Sequence, residues 1–175
     1  MPRVALSIGS NVDRRRNIQA AVDVLARDYQ PIRLSPVYES AAVGFDGPPF
    51  FNLAICFETG ESVDALAVRL RNIEASLGRE RTSNKYDSRN IDIDLLLYGD
   101  DVITRGHLKL PRDEISIYPF VLKPLSDLLP DDIHPVTGKT YLAMWHHMET
   151  REEFPPMVEV EGVIDDLRSA APGAS

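Results

Sequence analysis

The chain has 175 residues, of which 43% are hydrophobic and 26% are charged, and this length and composition are typical of one compact domain. Its 19 basic and 27 acidic residues give a net charge of -8, which argues against a broad nucleic-acid-binding surface. The single cysteine excludes an intrachain disulfide, and four histidines without a Cys-x-x-Cys pair give no structural zinc pattern. Because no basic leader and no stretch of 18 apolar residues is present, we expect a cytoplasmic protein that contacts no membrane.

The first part of the chain has the pattern of a strand, a helix and two further strands. Residues 4–8 predict a short buried strand that ends in a Gly-Ser-Asn turn. Apolar residues at helical spacing then predict a helix over residues 14–28. Two strands are expected over residues 32–38 and 51–57, separated by a loop over residues 40–49 that is rich in glycine and proline.

A second helix and a fourth strand complete this pattern. An apolar stripe over residues 63–77 predicts the helix, with Ser62 placed to cap its start and Gly78 its end. After a basic loop, residues 91–98 are apolar enough for a central strand. The order strand, helix, strand, strand, helix, strand predicts an α+β, ferredoxin-like (split βαβ) fold, an antiparallel sheet with helices packed on one face.

Shorter elements are predicted in the remaining chain. Residues 108–110 indicate a short strand, residues 120–129 a short helix, and residues 157–164 an added edge strand. Residues 149–168 carry seven acids and two bases, which is typical of a solvated appendage. We therefore divide the chain into one domain, residues 1–148, and an acidic C-terminal extension, residues 149–175, that is not a separate domain.

Asp92 and Asp94 are the strongest candidates for chemistry. Residues two apart on a strand share a face, so their carboxylates are expected roughly 6 to 7 Å apart. A divalent cation would relieve their repulsion, and Mg²⁺ typically binds one or two carboxylates together with substrate phosphates. The alternative is a solvated strand face. The segment over residues 69–89 carries six basic and three acidic residues just before the pair, which favours a phosphate site.

Other chemical signals are weaker or missing. Glu74 lies at the end of its predicted helix, where a carboxylate opposes the helix dipole, so either a functional role or a surface pair with Arg71 or Arg79 is open. The sequence has no GxxxxGK[ST], no GxGxxG after a strand and no kinase catalytic loop. The sequence shows no recognisable Cys/His or Ser/His/Asp catalytic set, so covalent catalysis is not expected.

Five segments together resemble the 6-hydroxymethyl-7,8-dihydropterin pyrophosphokinase family. They are Gly9-Ser10-Asn11, residues 38–52 with their FFN ending, EASLGRER at 74–81, SRNIDIDLLLYG at 88–99, and LxLP before FVLxPL at 120–125. The resemblance covers about residues 4–145, and R-x-x-D-x-D with the upstream G-R-x-R is highly specific. It implies a ferredoxin-like, ATP-dependent diphosphotransferase of folate biosynthesis. Such an enzyme transfers pyrophosphate to the pterin hydroxymethyl group and releases AMP.

The resemblance also implies the roles of individual residues. Asp92 and Asp94 would bind two Mg²⁺ ions, and these aspartates with Arg81 and Arg89 would be the catalytic residues. The ATP-binding residues would be Glu74, Arg81, Tyr86, Arg89, Ile93, His107, Lys109 and Arg112. The pterin-binding residues would be Ser40, Val43, Phe50, Asn52 and Phe120. The expected partners are ATP and a reduced pterin, with no nucleic acid, no membrane and no indicated protein partner.

The chain departs from the family's usual residues in two segments. Residues 40–42 read Ser-Ala-Ala where Thr-Pro-Pro is usual. Arg112 stands where histidine is usual, Lys109 where threonine is usual, and His107 and Tyr118 where arginines are usual. The second segment keeps positive charge, so we expect rearranged phosphate contacts. The alternative is a catalytically weakened relative that binds a pterin or nucleotide as a regulatory module. A ferredoxin-like RNA-binding domain is disfavoured, because the chain is acidic and lacks an aromatic RNP-type strand motif.

Overall fold

A computed structural model describes residues 1–78 and 91–165 as an antiparallel sheet with four helices. In chain order the elements are β1 (Arg3–Ser10), α1 (Arg14–Asp28), β2 (Arg33–Leu34), β3 (Val37–Ser40), β4 (Phe50–Glu58), α2 (Val63–Ser76), β5 (Asp92–Tyr98), β6 (Ile103–Arg105), β7 (Leu108–Leu110), a 3-10 helix (Asp113–Ser116), α3 (Pro119–Leu128), α4 (Tyr141–Glu149) and β8 (Val158–Val160). The predicted helix over residues 14–28 is confirmed. The predicted cap is also confirmed, since Ser62 Oγ accepts a hydrogen bond of 3.2 Å from the Ala65 amide.

The main sheet has the strand order β5-β1-β4-β3-β8, and every neighbouring pair in it is antiparallel. The short strand β2 also pairs with β4, and β6 and β7 form a separate hairpin. The single strand predicted over residues 32–38 is divided into β2 and β3 at Ser35 and Pro36. Proline has no amide hydrogen for a strand ladder, and Ser35 instead exchanges hydrogen bonds with Ala54.

Helices cover both faces of this sheet. Helices α1 and α2 pack on one face, against β-strand residues such as Leu6 and Leu53. Helices α3 and α4 pack on the other face, where Ala54 and Cys56 belong to a second cluster. The expectation of helices on one face is therefore correct for α1 and α2 and wrong for α3 and α4, which cover the other face. The strand β4 is buried on both sides, which explains its nearly continuous apolar sequence.

Residues 158–165 contact the edge of the main sheet and the core. The strand β8 pairs with β3 at the sheet edge, which confirms the predicted added strand. Val163 is 3% exposed and packs in the core beside α1 and α2, whereas the acidic residues Glu159 and Glu161 are exposed, so residues 158–165 are solvated only in part. Helix α4 was not predicted. Within residues 1–78 and 91–165, no helix is long and apolar enough to cross a bilayer.

Candidate active site

The sheet register brings a polar row onto the face covered by α3 and α4. Gly9 on β1 is paired with Asn52 on β4 and with Asp92 on β5. Two residues earlier on β1, Ser7 is paired with Asp94. Since neighbouring strands lie roughly 4.8 Å apart, Asn52 and Asp92 have backbones about 10 Å apart, with Gly9 between them. An amide and two carboxylates therefore share one end of this face.

A cavity of about 480 Å³ lies over the polar row. Eight of the predicted site residues line it: Ser40, Val43, Phe50, Asn52, Asp92, Asp94, Arg112 and Phe120. Sequence reasoning did not assign a role to the other lining residues: Ser7, Gly9, Ala41, Phe45, Leu96, Glu114, Tyr118 and Val121. The alternation of strand residues could have identified Ser7 and Leu96, because they share a face with Gly9 and Asp94.

Asn52 is held in a defined orientation at the cavity floor. Its side chain is buried, with the residue 5% exposed, and Nδ2 donates a hydrogen bond of 2.7 Å to Ser40 Oγ. A Cβ atom on Gly9 would lie 2.9 Å from Asn52 Oδ1, closer than these atoms can normally approach. The absence of a side chain at Gly9 thus leaves the space that the Asn52 amide occupies.

Aromatic side chains form the walls of the cavity. Phe45 meets Phe50 edge to face, with ring centroids 6.3 Å apart. Tyr118 and Phe120 are stacked, with centroids 5.0 Å apart and an interplanar angle of 21°. Such walls suit a flat, largely apolar ring, while a few polar groups fix its orientation.

Arg112 brings positive charge to the carboxylate end of the cavity. Its Nη2 lies 3.6 Å from Asp94 Oδ1, and its Nε donates a hydrogen bond of 3.1 Å to Glu114 Oε2. The Arg112 amide donates to Leu96 O at 3.0 Å, which fixes this residue beside β5. Ion pairs as exposed as these contribute only about 0 to 1 kcal/mol, so the guanidinium can exchange them for a more highly charged ligand.

The other predicted ATP-side residues lie outside the cavity or outside the described residues. Ile93 faces the opposite side of the sheet and belongs to the core beside α1 and α2. Glu74 is 6% exposed in α2, so its side chain is buried and does not lie on a solvated surface. His107 is exposed in the turn between β6 and β7, and Lys109 pairs with Asp113 at 2.9 Å. Three predicted residues lie in the part that is not described: Arg81, Tyr86 and Arg89.

Comparison with known proteins places this chain in a family. The family model for 7,8-dihydro-6-hydroxymethylpterin-pyrophosphokinase (HPPK) matches residues 5–130. A 2-amino-4-hydroxy-6-hydroxymethyldihydropteridine pyrophosphokinase from Synechocystis is 32% identical over 162 residues, covering 90% of this chain and 83% of the relative. One of the same name from Aquifex aeolicus is 36% identical over 141 residues, covering 79% of this chain and 88% of the relative.

A solved structure shares the fold. The Plasmodium falciparum HPPK-DHPS structure with pteroate matches with a TM-score of 0.72 at 14% identity, covering 86% of this chain and 43% of that longer chain. The family match and the named relatives define an enzyme of the diphosphokinase class. The chain belongs to the 7,8-dihydro-6-hydroxymethylpterin-pyrophosphokinase family, which confirms the family predicted from its motifs.

Proposed function

We propose that this chain transfers pyrophosphate from ATP to the hydroxymethyl group of 6-hydroxymethyl-7,8-dihydropterin, giving AMP and the pterin diphosphate in folate biosynthesis. The family match and the named relatives support this activity. The observation that carries it for this chain is the cavity, because Asn52, the aromatic walls and the pair Asp92 and Asp94 line the same space. The alternative of a regulatory module gains no support from the relatives.

We assign the fold to the ferredoxin-like (split βαβ) type. The order β1, α1, β3, β4, α2, β5 and the sheet order β5-β1-β4-β3 support this assignment. In this view α3, α4 and β8 are additions, of which α3 and α4 enclose the second face. We treat residues 1–148 as the domain and residues 149–175 as an extension whose strand β8 docks on it.

The pterin is proposed to bind on Asn52. A carboxamide has two N–H donors and one acceptor oxygen, and one donor is used by Ser40. The second N–H and Oδ1 match the mixed donor and acceptor edge of a pterin. Phe50 and Phe120 would contact the ring faces, and the backbone near Ser40 and Val43 would contact its edge. The buried position of Asn52 makes these hydrogen bonds a strong basis for selecting the substrate.

Asp92 and Asp94 are proposed to hold Mg²⁺ between the sheet and the phosphates of ATP, with two ions expected. Two carboxylates fit this cation, which takes six oxygen ligands and draws the remainder from phosphate and water. When bound, Mg²⁺ would neutralise charge on the phosphate oxygens. Arg112 supplies a nearby guanidinium, and Arg81 and Arg89 would supply two more.

The other described residues predicted to bind ATP lie outside the cavity. If they contact ATP, the nucleotide must extend beyond the cavity. Glu74 and Ile93 lie on the other side of β5, and His107 and Lys109 lie on the β6–β7 hairpin. We propose that the triphosphate lies at the carboxylate end of the cavity and that the rest of the nucleotide continues past the end of β5. Tyr86 would contact it from the segment that precedes this strand.

The proposed reaction is a direct transfer. The pterin hydroxymethyl oxygen forms a bond to the β-phosphorus, the bond from this phosphorus to the oxygen of the α-phosphate breaks, and AMP leaves with that oxygen. The hydroxyl proton passes to solvent. Asn52 and the aromatic walls orient the pterin, and the separation of about 10 Å between Asn52 and Asp92 is one that a two-ring pterin can span. Catalysis would rest on positioning and charge neutralisation.

Nucleotide analysis tests this function directly. The full chain is mixed with Mg²⁺, ATP and 6-hydroxymethyl-7,8-dihydropterin, and the expected products are AMP and the pterin diphosphate in equal amounts. Omitting the pterin should abolish AMP formation. The formation of ADP would indicate an ordinary kinase, and pterin binding without AMP formation would favour the regulatory alternative.

A further inference from the structure

The residues after α4 form a C-terminal segment, residues 150–165, that contacts both the cavity wall and the sheet edge. We propose that Phe154 in this segment is a positioning residue for the pterin, acting through the stacked pair Tyr118 and Phe120. The strand β8 and Val163 would hold the segment that carries Phe154. This inference rests on the proposed function, because it assigns the cavity to the pterin.

The contact from Phe154 to the cavity is aromatic. Phe154 meets Tyr118 edge to face, with ring centroids 5.9 Å apart and an interplanar angle of 69°. Tyr118 stacks on Phe120 at 5.0 Å, and both of these rings line the cavity. Edge-to-face and stacked contacts are the arrangements that aromatic rings prefer. Phe154 therefore restricts the position of the Tyr118 ring, which in turn restricts Phe120. Phe154 itself does not line the cavity.

The strand β8 pairs with a strand, β3, whose last residue also lines the cavity. It pairs with β3 through Glu39 opposite Val158 and Tyr38 opposite Glu159. Without β8, β3 would be an edge strand with unpaired backbone groups. The end of β3 carries Ser40, whose Oγ accepts the hydrogen bond from Asn52. The same segment thus contacts both the aromatic wall and the strand that orients the pterin-binding amide.

The far end of the segment is attached to the core and to α1. Val163 is buried among the residues that pack beneath α1 and α2. The Arg15 guanidinium donates to Gly162 O, and the Asp165 amide donates to Gln19 Oε1 at 2.7 Å. Because the segment is held by α4 at one end and by α1 at the other, Phe154 has a fixed position against Tyr118.

Calorimetry on the full chain tests the role of Phe154. The ligand is 6-hydroxymethyl-7,8-dihydropterin in the presence of Mg²⁺ and α,β-methylene ATP, whose blocked bond prevents turnover. Phe154→Ala should raise the Kd of the pterin about three- to tenfold, the effect of one lost aromatic contact. The Kd of the nucleotide analogue should stay within about twofold of wild type, and the KM for the pterin should rise more than kcat falls.

Two further variants separate positioning from a general loss of structure. Phe154→Tyr keeps the ring and should restore the pterin affinity, whereas Phe154→Leu keeps only apolar bulk and should not. Met157→Ala truncates a half-buried apolar side chain of the same segment and serves as the matched control. Thermal unfolding of each variant establishes that it is folded.

The outcomes distinguish this inference from the proposed function. An unchanged pterin affinity in a folded Phe154→Ala chain would overturn the inference, and so would equal losses for pterin and nucleotide. If the wild-type chain binds pterin without forming AMP, the proposed activity fails while the affinities still decide the role of Phe154. If the wild-type chain does not bind pterin, the assignment of the cavity and the role of Phe154 both fail.

Discussion

The two faces of the main sheet are built from alternate residues of the same strands, and they have different compositions. On the face beneath α1 and α2, the central strands contribute Leu6, Leu53 and Leu95 to a continuous apolar core. On the other face, the same strands contribute Asn52 and Asp94, and α3 and α4 leave a cavity above them. Mutations on the apolar face should therefore lower the free energy of unfolding, and mutations on the face with the cavity should lower turnover. Adjacent residues on one strand should differ in this way.

Asp94 and Leu95 offer the sharpest test of this difference, since they are neighbours on opposite faces. Asp94→Asn removes one of two close carboxylates, and turnover should fall at least about a hundredfold, as when a main electrostatic group is lost. Its free energy of unfolding should change little or rise, because repulsion with Asp92 is relieved. Asp92→Asn should behave in the same way. AMP formation and urea unfolding measure the two effects.

Leu95→Ala is the matched control for this prediction. Truncating this buried side chain should lower the free energy of unfolding by about 2 to 5 kcal/mol. Turnover per folded molecule should remain close to wild type. Near wild-type turnover in both aspartate variants would show that the metal assignment is wrong.

The next largest effect concerns Asn52, at the proposed pterin-binding end of the cavity. Asn52→Ala should weaken pterin binding by about 1 to 3 kcal/mol, the cost of leaving buried polar groups unpaired, and should leave nucleotide binding nearly intact. Gly9→Ala sharpens this test, because its new Cβ would displace Oδ1 of Asn52 and lower pterin affinity without removing the amide. Calorimetry compares both ligands. Equal losses for pterin and nucleotide would indicate a folding defect.

Arg112 tests whether the phosphate contacts are rearranged at the carboxylate end. Arg112→Ala should raise the KM for ATP about tenfold and lower turnover, because a charged hydrogen bond to phosphate is lost. Arg112→His alone should give no gain. Arg105→Ala is the control, since Arg105 pairs with Asp64 away from the cavity. A neutral Arg112→Ala, together with higher turnover in Arg112→His/Tyr118→Arg, would instead support the weakened-relative alternative.

The smallest predicted effect is a pH dependence of the free energy of unfolding. It involves His134, which lies in the connection between α3 and α4. Burial lowers the pKa of His134, and its Nδ1 accepts hydrogen bonds from the amides of Val136 and Thr137. The neutral ring is therefore favoured in the folded state. Its contribution to stability is complete above the ordinary histidine pKa near 6.5 and is lost as the pH falls through the lower, folded-state pKa.

A variant isolates this contribution. His134→Asn keeps an acceptor oxygen and cannot titrate, so its free energy of unfolding should fall less than that of wild type between about pH 7.5 and about pH 5.5. His146→Asn is the control, because His146 is exposed on α4. Urea unfolding at both pH values provides the measurement, and identical slopes for wild type and His134→Asn would contradict the prediction.

Local patterns in the sequence predict the elements that carry the site. Apolar spacing identifies α1 and α2, and two-residue alternation places Asp92 and Asp94 on one face of β5. Family motifs predict Asn52 and Phe120, which line one cavity although 68 positions separate them in the chain. The helix and strand predictions succeed because helix and strand periodicity depend on neighbouring residues alone, whereas Asn52 and Phe120 come from the family resemblance.

Features set by distant contacts could not be predicted in this way. Helix α4 has only Tyr141, Met144 and Met148 on its buried face, too few to distinguish it from a polar loop. Glu114 enters the cavity because the chain turns back toward β5 after β7, and no sequence motif marks that turn. The burial of Val163 depends on a core formed by residues far earlier in the chain. By contrast, Pro36 could have indicated the break between β2 and β3.

The position of Cys56 allows its reaction rate to report how often helices α3 and α4 separate from the sheet. It is the only thiol in the chain, it is 1% exposed beneath α3 and α4, and burial raises the pKa of its thiol. A thiol reagent can react only when these helices separate from the sheet, so the labelling rate measures how often that layer opens. Because Phe120 belongs to α3, slower labelling with bound pterin would express ligand binding as protection of a cysteine that the ligand never touches.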